Sequence, residues 1–230
     1  MIHAHLLRLR QAAAEREPVA YAVRLADGTG FVLPDQAAPP AINQAGADAL
    51  SADRIGVVEI DGESWFIEAR NPAPRLVVVG AVHIAQALAP LAVAAGFDVT
   101  VIDPRTGFAA PERFPGVRID TAWPDEALAA LQPDSRTAIV TLTHDPKLDD
   151  PALISALRSD AFYIGALGSS RTHAKRLDRL RALGFDEAAF ARIAAPVGLD
   201  IGARTAPEIA ISVIAEVVGA RRGKRRERGA

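Results

Sequence analysis

Between Arg75 and Leu88 the chain reads RLVVVGAVHIAQAL, an apolar run that ends at a glycine and continues with helical spacing. An uninterrupted apolar run of this length reads as a strand buried on both faces, and a glycine between it and a helix marks a βα turn. The alternation continues downstream. Strands are predicted at 76–80, 98–102, 117–119, 137–142 and 161–165. Helices are predicted at 82–95, 124–131, 150–158, 170–183, 186–192 and 206–220. The last of these has a written start, with Thr205 as N-cap, Pro207 in the first turn and Glu208 three residues after the cap. Strands alternating with helices require a mainly parallel sheet covered on both faces. The predicted class is therefore α/β, a doubly wound Rossmann-like sheet.

The first 71 residues read differently. Residues 3–16 form a short helix closed near Pro18, and two hairpins turn at Asp27-Gly28 and Asp61-Gly62. Between them, QAAPPAINQAGADALSADR lacks a sustained period and reads as a loop with at most a short helix. NPAP (71–74) serves as a linker. The expected divisions are a small β-rich unit at 1–71, a Rossmann-like domain at 72–220 and a basic, disordered tail at 221–230. A chain of 230 residues with 50% hydrophobic content can build one sizeable α/β core and such an appendage.

A net charge of −2 gives no general reason to bind nucleic acid or an anionic membrane, although GARRGKRRERGA at the C-terminus concentrates six basic residues against one Glu. A solvated tail is the preferred reading of that run over an RNA- or membrane-binding patch. The chain has no cysteine, so disulfides, thiolate metal ligands, cysteine nucleophiles and a persulfide of its own are excluded. The N-terminal apolar stretch is too short and too charged for a signal peptide, and no run approaches 18 apolar residues. A soluble, cytoplasmic protein is expected.

Three loops follow strands. In a dinucleotide fingerprint the first glycine makes the turn, the second lets the pyrophosphate approach, and the third lets the helix pack closely. Here Gly80 keeps the first role and Ala85 can fill the third, but Val82 occupies the second with a branched side chain. Asp103, at the end of the next strand, is placed for a ribose hydroxyl. The second loop, FYIGALGSSRTHAKRLDRL, runs through Gly165, Gly168, Ser169 and Ser170 into a helix opening with Arg171, Thr172, His173, Lys175 and Arg176. Cations early in a helix oppose its dipole, and a bound anion gives them a reason to be there. TLTHDPKLDD supplies His144 and Asp145 at a strand end, with Asp149 or Asp150 read as the cap of the following helix. PVGLDIGARTAPEIA adds Asp200 and Arg204 before the last helix. No catalytic constellation and no metal site can be assigned.

Together these loops, over about residues 72–219, resemble the C-terminal Rossmann domain of the xanthine dehydrogenase accessory factor family (XdhC/CoxI type). The blocks carrying the resemblance are RLVVVGAVHIAQALAPLAVAAGFDVTVIDPR, LTHDPKLDDPAL, AFYIGALGSSRTHAKRLDRLRALGF and APVGLDIGARTAPEIAISVIAEVV. The resemblance implies a maturation chaperone that binds the molybdenum cofactor, as molybdopterin or its nucleotide form. Such a protein protects the cofactor during sulfuration and assists its insertion into a molybdenum hydroxylase such as xanthine dehydrogenase. With no cysteine in the chain, the sulfur would come from a cysteine desulfurase partner. The cofactor-contacting residues it implies are Gly80, His83, Asp103, Arg105, His144, Gly165, Gly168, Ser169, Ser170, Arg171, Thr172, His173, Lys175 and Asp200.

Two departures stand out. The family's glycine loop reads Gly-Ala-Gly-His-Val-Gly where this chain has Gly80-Ala81-Val82-His83-Ile84-Ala85, and the family's cysteine-containing N-terminal motif has no match in residues 1–70. They weaken the first loop as a ligand site and leave the pattern with the 165–176 loop. An NAD(P)-dependent oxidoreductase using Asp103 and His144 is the enzymatic alternative, disfavoured by Val82. A ligand-free interaction protein of the same fold is the third reading. The last helix carries enough apolar surface for either a core or a homodimer face.

Overall fold

The computed structural model of the chain describes residues 3–224. It separates into two compact units, Met1–Pro72 and Ala73–Ala230. The predicted tail lies outside the described residues from 225 onward.

The first unit begins with α1 (His3–Ala14) and the hairpin β1 (Val19–Arg24) and β2 (Gly30–Leu33). Then come α2 (Pro40–Ala52) and the hairpin β3 (Ile55–Ile60) and β4 (Glu63–Arg70). The strands form an antiparallel sheet in the order β2-β1-β4-β3. The period of two in β1 divides its side chains: Ala20 and Ala22 pack with Ile42 and Ala49 of α2, while Val19 and Tyr21 pack with Leu9 and Ala12 of α1. Both hairpins turn where the sequence predicts. The 13-residue α2 is a correction, because its span reads as a loop in sequence. It sits close to the sheet at Gly46, where a Cβ would lie 2.5 Å from Cδ1 of Leu33.

The second unit holds β5 (Arg75–Val79), α3 (His83–Ala94), β6 (Asp98–Ile102), β7 (Arg118–Asp120), α4 (Pro124–Leu131) and β8 (Thr137–Thr141). It continues with α5 (Pro146–Leu157), β9 (Tyr163–Ala166), α6 (Ser170–Ala182), α7 (Glu187–Phe190), β10 (Ile193–Ala194) and α8 (Ala206–Arg221). Six strands run in the order β10-β9-β8-β5-β6-β7, every pairing parallel. Leu76 and Val78 of β5 join the core beneath α3 and α8, while Val77 and Val79 join the core beneath α4, α5 and α6. That double burial is why the opening run is apolar at every position. The protein is thus an α/β fold with a doubly wound parallel sheet and a small antiparallel unit.

α8 opens with the capping box read from sequence: Thr205 accepts from the Glu208 amide, and Glu208 accepts from the Thr205 amide at 2.9 Å. Helix α5 starts at Pro146, earlier than predicted, because Asp145 is its cap and accepts from the Lys147 amide at 3.0 Å. The two-residue β10 has no sequence counterpart in the predicted elements.

Candidate functional site

The chain leaves β5 for β6 on one side and later returns to β8 on the other, so the switch point of the sheet lies at the carboxyl ends of β5 and β8. Open α/β sheets place ligands in that region. Gly80, with φ +109°, makes the turn there, and a Cβ on it would meet Cγ2 of Thr143 at 2.6 Å. Its neighbour Ala81 donates its amide to Oδ2 of Asp103 at 2.8 Å. Arg105 takes both carboxylate oxygens of Asp103, Nε to Oδ1 at 2.9 Å and Nη2 to Oδ2 at 2.8 Å, and adds its amide at 3.0 Å. Asp103 is fully buried. Burial pushes its carboxyl up, but the Arg105 guanidinium and the two amides outweigh burial and hold it below the ordinary value. The carboxylate predicted to face a ribose hydroxyl instead ties this loop together from within. Val82 occupies the N-cap position of α3 and packs against the core, and His83 is exposed in the first turn.

One strand further along, the ends of β8 and β9 build a more open site. His144 takes a left-handed conformation (φ +61°) just before the cap of α5. Asp149 is not a cap, in contrast to the sequence expectation. It lies in the first turn of α5 with 1% exposure and accepts from Thr143 Oγ1 at 2.6 Å. Asp150 is not a cap either: it pairs with Arg179 of α6, Nη2 to Oδ1 at 2.8 Å. After β9, Ser169 caps α6 by accepting from the Thr172 amide. Arg176, 2% exposed, donates Nη2 to the Leu167 carbonyl at 3.0 Å and stands 3.5 Å from Oδ2 of Asp149. Its Nε and Nη1, and Oδ2 of Asp149, are buried without a hydrogen-bond partner. Burial pushes the Asp149 carboxyl up and the Arg176 guanidinium down, against their mutual attraction.

A cleft of about 210 Å³ opens over this pair, lined among others by His144, Arg171, Thr172, Lys175 and Arg179. The structure therefore gathers four of the residues expected from sequence, His144, Arg171, Thr172 and Lys175, with Gly168, Ser169 and Ser170 forming the turn from which α6 rises. Gly80, Asp103 and Arg105 belong to the neighbouring loop, linked to the cleft through Thr143. His173 faces a different cleft of about 380 Å³, which it lines with Tyr163, Arg192 and Glu216. Gly165 is a packing position, where a Cβ would lie 2.5 Å from Val197. Asp200 is exposed on the loop before α8. Asp149, Arg176 and Arg179 are absent from the residues expected to bind. Arg176 carries a signal: it shares the inward stripe of α6 with Leu180, and both are buried. A cation on an apolar stripe needs a buried partner. Among the described residues, no cluster of metal-ligating side chains and no helix long and apolar enough to cross a membrane is found.

Comparison with known proteins places these loops. The molybdenum cofactor insertion chaperone PaoD of Escherichia coli is 39% identical over 151 residues, 66% of this chain and 41% of that protein. A Bacillus subtilis protein named as a probable xanthine dehydrogenase component is 35% identical over 160 residues, 69% of this chain and 46% of that protein. The chain thus spans less than half the length of these relatives. A crystal structure of a Bacillus halodurans protein named xanthine dehydrogenase superposes with a TM-score of 0.71 at 23% identity, covering 96% of this chain and 67% of that one. Most of the N-terminal unit therefore has a counterpart in that fold. Residues 76–217 match the family model of the XdhC Rossmann domain, the segment holding both the Gly80 loop and the basic cleft, and the chain belongs to that family.

Proposed function

We propose that the protein binds the molybdenum cofactor and acts as a maturation factor for a molybdenum hydroxylase such as xanthine dehydrogenase, assisting sulfuration and insertion. The observation that carries this reading is the cleft at the ends of β8 and β9, where a buried guanidinium keeps two donors unused beneath a basic rim. Those donors fit the phosphate of a pterin cofactor. The similarity to a protein named as an insertion chaperone points the same way. The cofactor, when bound, supplies the molybdenum centre that the client enzyme uses; this chain's part is to hold it and release it. With no cysteine among its 230 residues, the chain relies on a cysteine desulfurase for sulfur. The reading places the protein in the cytoplasm, with a homodimer as its candidate assembly.

Protein purified from a cofactor-replete host, denatured and oxidised, is expected to release pterin fluorescence near stoichiometry. Arg171→Ala is expected to lose most of it, by about tenfold or more, as charge-assisted bonds to phosphate vanish. Absence of pterin from the wild-type protein, even after incubation with supplied cofactor, would sink the reading.

The enzymatic alternative makes the opposite claim about the first loop. Restoring glycine by Val82→Gly is expected to give no gain in NAD(P) affinity, because Asp103 stays engaged by Ala81 and Arg105. A titration showing micromolar binding in that variant would revive the dinucleotide site.

A further inference from the structure

Arg176 is the side chain in this unit that most clearly asks for a ligand. It is nine-tenths buried and more, borders the cleft, and spends one nitrogen on Leu167 while Nε and Nη1 go unmatched. The cations around it divide by charge balance. Arg176 faces Asp149, and Arg179 is held by Asp150. Arg171 and Lys175 have no carboxylate partner among the described residues and stand over the same cleft. Two uncompensated positive charges above two buried, unused donors match a doubly charged oxyanion better than a singly charged one.

Size sets a second limit. The cleft holds about 210 Å³, below the roughly 300–1,000 Å³ of pockets that enclose a whole small-molecule ligand. It can take a headgroup, not a pterin or a nucleoside as well. The neighbouring Gly80 loop offers no alternative seat for a diphosphate bridge, since Val82 fills its second glycine position and Asp103 closes it from inside.

We propose that the cleft between α5 and α6 seats a terminal phosphoryl group, the dianionic end of a phosphomonoester whose body lies outside the cleft, and that it discriminates against phosphodiesters. This rests on the cofactor-binding reading for the identity of the ligand's body, but the seat is a property of the chain itself. Arg176 supplies the buried donors, while Arg171 and Lys175 supply the matching charge.

The test is calorimetric titration of the full chain at low ionic strength with three probes: inorganic phosphate, glycerol 3-phosphate as monoester and dimethyl phosphate as diester. The monoester is expected to bind at least about tenfold more tightly than the diester, the difference expected when charge-assisted bonds are lost. Inorganic phosphate should compete with it. Lys175→Ala and Arg171→Ala, both at exposed positions, should each weaken the monoester severalfold. Arg176→Lys, which keeps the charge and removes the fork, should do the same, with its thermal melt checked against wild type. Arg181→Ala, a cation on the same helix outside the cleft, should change nothing. Equal affinity for monoester and diester, no saturable binding, binding of free phosphate without the monoester, or cleft variants that bind like wild type would each overturn the proposal. The pterin assay separates the two readings. Monoester binding without pterin would leave the seat standing and remove the cofactor reading. Pterin in the wild type and in Lys175→Ala, with no monoester binding, would remove the seat alone.

Discussion

Replacing Asp149 by alanine is expected to lower the unfolding free energy by about 3–5 kcal/mol, read by urea denaturation at neutral pH. The loss comes less from the contact removed than from what remains. Arg176 would be left with its charge buried and no carboxylate within reach, and Thr143 would lose the acceptor it holds at 2.6 Å. The pair itself is not a strong source of stability. Burial shifts Asp149 up and Arg176 down, so for both groups the cost of leaving water exceeds the attraction between them. The sign follows for pH: with a folded value above its unfolded one, Asp149 contributes most to stability below the unfolded value, and that contribution falls as pH rises through the folded one. Replacing both partners together, Asp149→Leu with Arg176→Met, should therefore restore most of the lost stability while abolishing phosphate binding. A single-variant loss below about 1 kcal/mol would mean that the guanidinium finds another acceptor or water.

Gly198→Ala is the second large effect, about 2–5 kcal/mol, from backbone strain and overpacking together. Gly198 has φ +95°, and a Cβ there would overlap Oγ of Ser212 and lie 3.2 Å from the α8 backbone. The loop has little freedom to retreat. The Gly198 amide donates to the buried Glu216 at 2.7 Å, the Tyr163 hydroxyl donates to the same oxygen at 2.6 Å, and the Leu199 amide bonds the Ser212 carbonyl. Adding Ser212→Ala should relieve the contact with Oγ and leave the backbone strain. A single variant within about 0.5 kcal/mol of wild type would show that the loop relaxes independently of α8.

The alternation of the Rossmann unit is legible because strands buried on both faces are apolar at every position, and helix starts such as Thr205-Ala206-Pro207-Glu208 carry their capping chemistry locally. Helix α2 is not. Its inward positions Ile42, Gly46 and Ala49 follow helical spacing, but two are too small to register as apolar, and their smallness answers the nearness of Leu33 and Ala20, a long-range fact. The start of α5 is hidden for a related reason: DPKLDDP offers three aspartates as caps, and only the tertiary structure shows which one sits outside the helix. The same stretch conceals the site. Asp149 looks like any surface acid until α6, more than twenty residues later, brings Arg176 against it. Asp103 shows the reverse case, a residue in the right place by spacing whose hydrogen bonds turn it toward its own loop.

The parallel sheet ends at both margins in stubs, three residues in β7 and two in β10. A foreign strand adds to a sheet by pairing with a row of free backbone groups, and so short a row gives it almost nothing to template on. The Rossmann unit is thereby insulated against edge-to-edge growth and aggregation. A protein that meets this unit must recognise it by side chains and loop shape, so such an encounter is broken by point substitutions rather than by blocking a backbone edge.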